Sequence, residues 1–199
     1  MGRRAPVGPG DRRAGGPRRR DLARAHDLPA FELIALHDLV RLGAAEQVRD
    51  RLDRVAAGHD GELAPLFAEH ARAAGDGAAL LAVADRFDRL GFTLFAAEAA
   101  AQAADACRDD RSLAFARARA YALASRCEGA DTPALSRVEP PGLTPSESKV
   151  AQLAAEGKTT KDIAAELVLS RRTVDNHLRS VYRKLGIHRR DGLRQVVSH

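Results

Sequence analysis

Tryptophan is absent from this chain, and its only methionine is the first residue. Aromatic residues make up just 4% of the 199 positions against a hydrophobic share of 45%, much of it alanine, so the core has to come from closely packed helices rather than large rings. Cys107 and Cys127 are the only cysteines and belong to neither a C-x-x-C pair nor a metal-spaced set. That excludes a disulfide framework and a zinc site, and reads as two free thiols in a reducing cytoplasm. No run of about 18 apolar residues is present to cross a membrane, and Met1 to Arg20 lack the apolar stretch of a secretory signal. These absences point to a soluble cytoplasmic protein with no membrane partner.

Lysine is missing before Lys149, and the remaining charge is unevenly spread. Residues 1–20 hold seven Arg and one Asp, residues 21–141 hold fourteen Arg and twenty Asp or Glu, and residues 142–199 hold eleven Lys or Arg and six acids. The overall charge of +5 therefore hides a basic carboxyl end on an acidic body, as expected where one module meets a polyanion and the other does not.

Residues 1–20 are dense in Gly, Pro and Arg and cannot offset the entropy of ordering, so a disordered arm is expected there. From Pro29 to Cys127 apolar residues recur at three- and four-residue spacing: Phe31, Ile34 and Ala35; Val48, Leu52 and Val55; Leu80, Ala84 and Phe87. Strand-like alternation is missing. Gly43, Gly58, Gly75 and Gly91 stand where helices should end, and two helices per unit gives a period of about 32 or 33 residues. The expected fold is all-α, with a helical-hairpin, tetratricopeptide-like body over residues 21–128. Residues 129–142 carry Pro133, Pro140 and Pro141 without a helical period and read as a linker.

Residues 143–199 read as four short helices. Thr144-Pro145-Ser146-Glu147 supplies an N-cap, a proline at the first helical position and an acid three residues on, ahead of the stripe Val150, Leu153 and Ala154, with Gly157 as the stop. Thr159 to Asp162 repeats the capping box before Ile163, Ala164 and Leu167. After a turn over residues 167–169, Ser170 caps a third helix, which makes a helix-turn-helix pattern. At 100° per residue this helix buries Val174, Leu178, Val181 and Leu185, and presents Arg172, Asp175, Asn176, Arg179 and Arg183 on the opposite face. Arg can bond guanine and Asn adenine through paired hydrogen bonds in the major groove, whereas Asp175 suits a cytosine amino group or orients Arg172 or Arg179.

The ordered series Leu143-Thr144-Pro145-Ser146-Glu147, Gly157, Lys161-Asp162-Ile163-Ala164, Leu167, Ser170, Thr173-Val174, Asn176-His177-Leu178 and Tyr182-Arg183-Lys184-Leu185-Gly186 closely resembles the LuxR-type DNA-binding domain over residues 143–197. The resemblance implies a four-helix helix-turn-helix domain that regulates transcription from double-stranded DNA, with a recognition helix from about Arg171 to Leu185. Its base-reading places fall on Asp175, Asn176 and Arg179. Its backbone-contacting places fall on Thr160, Lys161, Ser170, Arg171, Thr173 and Lys184. A last helix carrying Leu193, Val196 and Val197 is implied as a homodimer contact, although Gly192 falls inside it. Ser146 and Lys149 depart from the family pattern of Arg and acid. The body, with Leu90-Gly91, Ala96 to Ala100 and Arg126-Cys127, resembles the segment before this domain in large ATP-binding LuxR-type regulators, and would receive a signal or protein partner.

No cofactor or metal is expected. Gly157-Lys158-Thr159 imitates the end of a phosphate-binding loop, but Gln152 stands where the first glycine must be. His26, His37, His59 and His70 fall on different predicted helices and read as surface or packing residues, and His177 has no nucleophile or acid beside it. An enzyme is therefore not expected. Two other readings use the same features: a helical scaffold that binds a protein through Leu36 to Cys127, and a sigma-like promoter binder, which would require an aromatic-rich melting domain.

Overall fold

The computed structural model describes the backbone of residues 19–197 and the side chains of residues 29–197. Most of the arm assigned to residues 1–20, and the side chain of His26, lie outside the described residues. Every regular element among the described residues is a helix, and none is long and apolar enough to cross a membrane. The body comprises α1 (Arg19–Arg41), α2 (Ala45–Ala56), α3 (Leu63–Arg72), α4 (Gly77–Arg89), α5 (Thr93–Ala106) and α6 (Asp110–Ala124). The carboxyl-terminal part comprises α7 (Pro145–Ala155), α8 (Thr160–Glu166), α9 (Arg171–Lys184), a 3₁₀ turn (Arg190–Gly192) and α10 (Leu193–Val196).

Helices α2, α4 and α6 start at residues 45, 77 and 110, spacings of 32 and 33 residues, which is the interval read from the glycines. Two details differ from the expectation. Helix α1 begins before Pro29 and runs through it. Gly43, Gly75 and Gly91 do take the left-handed conformation, but Gly58 does not, and Gly61 takes it instead. Side-chain caps set two of the starts: the Asp76 carboxylate accepts from the Ala78 and Ala79 amides, and that of Asp109 from the Ser112 amide.

The body core is built on α5, whose Ala96, Ala97, Ala99, Ala100 and Ala103 are fully buried and let its neighbours close in on methyl groups. Its few rings are gathered at one point. His37 stacks on Phe67 with centroids 3.6 Å apart, next to Phe87 and Phe95. His37 Nε2 lies 3.1 Å from His70 Nδ1, and His70 Nε2 lies 2.9 Å from Gln102 Oε1. The Gln102 amide in turn donates to the carbonyls of Val40 and Arg41. Burial holds both imidazoles in the neutral form by pushing their pKa values down to about 2 for His37 and about 4 for His70. Buried Glu98 is paired with Arg41 at 2.5 Å.

Residues 130–144 contain no helix, and Ala134, Leu135 and Val138 pack against the body core, so this stretch lies on the body. A second core gathers Val150, Leu153, Ile163, Val174, Leu178, Val181, Leu185 and Leu193, and it includes Ala118 from α6. Helix α6 thus belongs to both cores.

Candidate nucleic-acid interface

Three caps fix the carboxyl-terminal helices. Thr144 and Glu147 form a reciprocal capping box at α7, Thr159 and Asp162 form another at α8, and the Ser170 hydroxyl accepts from the Thr173 amide at α9. The Glu147 carboxylate does more than cap. It accepts from Lys184 Nζ at 2.6 Å, the Thr144 amide at 2.7 Å and Ser180 Oγ at 2.7 Å, which binds the start of α7 to the last turn of α9. The Lys184 ammonium, then the Thr144 amide and the Ser180 hydroxyl, hold the Glu147 pKa down to about 2. This pair supplies the ion pairing that Ser146 and Lys149 do not. Lys184, expected on a phosphate, has its ammonium on Glu147 in this structure.

The turn between α8 and α9 is closed by Val168, which is 90% exposed at a φ of 55°. A β-branched residue there is held in a conformation that normally suits glycine. The turn directs α9 so that Val174, Leu178 and Val181 are buried, while Arg172, Asp175, Asn176, Arg179 and Arg183 are all exposed along the outer face. Within that face Arg179 donates to Asn176 Oδ1 at 3.2 Å, so Arg179 is held by Asn176 and not by Asp175.

At the amino-terminal end of this face Thr160, Lys161, Arg171 and Asp175 line a shallow groove together with Arg190. Lys161 and Arg171 are exposed, and Thr160 is half-buried. Ser170 and Thr173 face one another with hydroxyls 2.8 Å apart, joined as the cap of α9. Arg190 escaped the sequence reading. It lies in the 3₁₀ turn beyond α9, and its guanidinium reaches the groove because it donates to the carbonyls of Ala154 near the end of α7 and Lys158 in the loop after it. The only signal in the sequence is the pair Arg189-Arg190 just beyond the amphipathic helix.

The dimer contact expected on Leu193, Val196 and Val197 is not offered outward. Helix α10 is four residues long, Leu193 and Val196 are buried, and Val197 packs against the same core beside Ala118 and Phe115 of α6. The two parts also press together at Gly186. A Cβ on this glycine would lie 2.6 Å from the Phe115 nitrogen and closer still to the Arg111 carbonyl oxygen. Gly192 is also closely packed, since a Cβ there would meet Ile187 Cγ2 at 3.0 Å and that side chain would have to give. Arg119, buried in α6, completes the junction. It donates to the Gln195 carbonyl at 2.8 Å and to Asp85 and Asp88 of α4 at 3.0 Å each. The body therefore docks on the α10 side and leaves the outer face of α9 uncovered.

Comparison with known proteins agrees with this geometry: residues 141–197 match the family model of bacterial regulatory proteins, luxR family. Residues 141–197 form a LuxR-type helix-turn-helix domain. The spore germination protein GerE of Bacillus subtilis is 47% identical over 47 residues, which is 24% of this chain and 64% of that protein. A response regulatory protein, YgeK, of Escherichia coli K12 is 50% identical over 46 residues, 23% of this chain and 31% of that protein. A Mycobacterium tuberculosis protein named as an HTH-type transcriptional regulator is 53% identical over 45 residues, 23% of this chain and 5% of that protein. This chain thus spans less than two thirds of each of these relatives. No solved structure matched it. Within the LuxR-type domain the α9 face and the Lys161, Arg171 and Arg190 groove lie side by side, through their shared residue Asp175.

Proposed function

We propose that this protein binds double-stranded DNA sequence-specifically and regulates transcription, with α9 of its LuxR-type domain lying in the major groove. The carrying observation is that Arg172, Asp175, Asn176, Arg179 and Arg183 stand exposed on one face of a capped helix, while the body packs on the other side of the domain. On this reading Arg179, Asn176 and Asp175 contact base edges with Arg172 and Arg183 beside them. Thr160, Lys161, Arg171 and Arg190 receive the backbone phosphates, with Ser170 and Thr173 at the start of α9.

Selection of bound sites from random duplexes tests this, followed by two substitutions in the full chain. Arg179→Ala should relax preference at one base pair and weaken the selected site by about 1–3 kcal/mol. Lys161→Ala should weaken all duplexes alike and lower the salt slope by about one. Failure to bind any duplex in dilute salt would end the proposal.

The body carries a second role on this reading. Phe31 and Ile34 of α1 are 69% and 53% exposed, and large apolar side chains left in water one turn apart favour a protein partner there. Replacing both with Ser should remove that partner and leave DNA affinity unchanged.

A further inference from the structure

We propose that a cavity of 390 Å³ on the body binds a small amphipathic anion, a carboxylate on a compact apolar frame. Its walls come from the carboxyl end of α1, from α5 and α6, and from residues 133–138 of the segment leading to the LuxR-type domain. The volume falls within the range of small-molecule sites. Leu42, Ala104 and Val138 give it apolar surface, and Leu42 is 63% exposed at this position with no apolar cover of its own.

The charge of the lining decides the ligand's sign. Arg41 is neutralised by Glu98 at 2.5 Å and Asp38 at 2.7 Å, so it adds no free cation. Arg117 from α6 and Arg137 from the connecting segment both line the cavity, are exposed, and have no ion pair or hydrogen bond among the described residues. Asp105 is the only carboxylate in the lining among the described residues. Two unpaired guanidiniums against one acid suit an anion, and the planar fork of Arg suits a carboxylate in particular. Gln102 also lines the space, but its amide is spent on the carbonyls of Val40 and Arg41 and on His70, so recognition of the anion falls to the two arginines. A carboxylate held by both would join α6 to the segment that leads into α7.

Calorimetric titration of the full chain with 2-naphthoate and its neutral analogue 2-naphthamide tests the site. One naphthoate should bind per chain, and naphthamide should bind at least about tenfold more weakly for want of the charge-assisted bonds. The exposed pair Arg117→Gln with Arg137→Gln should bind the two compounds alike, and Ala134→Trp, which fills the cavity, should bind neither. Equal affinity of the two compounds for the unmodified chain, discrimination that persists without the arginines, binding unchanged by Ala134→Trp, or no uptake of naphthoate at about 1 mM would each overturn the proposal. DNA takes no part in this measurement, so its failure leaves the DNA-binding reading untouched.

Discussion

At the scale of single residues, two groups sit in states that have a cost. Val168 holds a left-handed backbone in nearly full solvent, and for an L-residue that conformation costs about 1–2 kcal/mol. Val168→Gly removes this strain and returns part of the gain as chain entropy, so the net effect should be about 0.5–1 kcal/mol of added stability, read as a rise in Tm. An unchanged or lower Tm would mean the turn is not strained. The second group is the neutral pair His37 and His70. Because burial holds their folded pKa values at about 2 and about 4, the unfolded chain takes up protons below pH 6.5 where the folded chain does not. Their contribution is complete above about pH 6.5 and falls by a few kcal/mol as the pH drops toward 4. Glu147, whose pKa is depressed by Lys184, stabilises the LuxR-type domain above about pH 4.5 and loses its effect only as the pH approaches 2. Thermal melts at pH 7.5, 5.5 and 4.5 should therefore show the midpoint of the chain falling through loss of the histidine contribution, while that of Glu147 is still in place. A His37→Phe, His70→Met variant should flatten that dependence, and an unchanged slope would exclude the pair as its source.

At the scale of elements, α6 is the helix on which the arrangement turns, since Ala118 and Phe115 face the LuxR-type core while Ala116, Ala120 and Leu123 face the body core. The same fact marks where sequence reading stops. Caps and stripes are local, so Thr144, Thr159 and Ser170, and the buried line Val174, Leu178 and Val181, were legible from spacing alone. The burial of Leu193 and Val196 depends on α6, some seventy residues earlier, and Arg190 reaches its groove through the carbonyls of Ala154 and Lys158, more than thirty residues earlier. Neither leaves a local periodicity, and an apolar pair at the end of a chain reads equally well as a contact to another copy. Gly186 tests the contact directly. Gly186→Ala places a Cβ into the backbone of α6 at a φ of 68°, and should destabilise the chain by about 2–4 kcal/mol through overpacking and backbone strain. Its expected signature is faster proteolytic cleavage between residues 129 and 142; cleavage at the unmodified rate would mean that the two parts do not press together there.

At the scale of the whole molecule, the two parts are held as one body, with the connecting segment laid on the first core and the reading face of α9 turned away. Among the described residues, Arg119 is the only side chain that bonds both α4 and α10: one guanidinium nitrogen serves Asp85 and Asp88, and another the Gln195 carbonyl. Arg119→Ala would remove that bridge and leave Asp88 with Arg126 as its remaining partner, while Asp85 loses the bond it makes here. Breaking a buried ion pair from one side costs about 3–5 kcal/mol, and the partial exposure of Asp85 and Asp88 places this case at or below the lower end. Because the lost bonds lie between the parts as well as within the body, calorimetry should show one transition for the intact chain and two for the variant, with scattering showing a larger radius of gyration for the variant. Base preference in the DNA selection should stay the same, since α9 and its caps are not touched. A single transition at the original midpoint would mean that the apolar contact of Leu193 and Val196 with α6 holds the molecule together without the arginine.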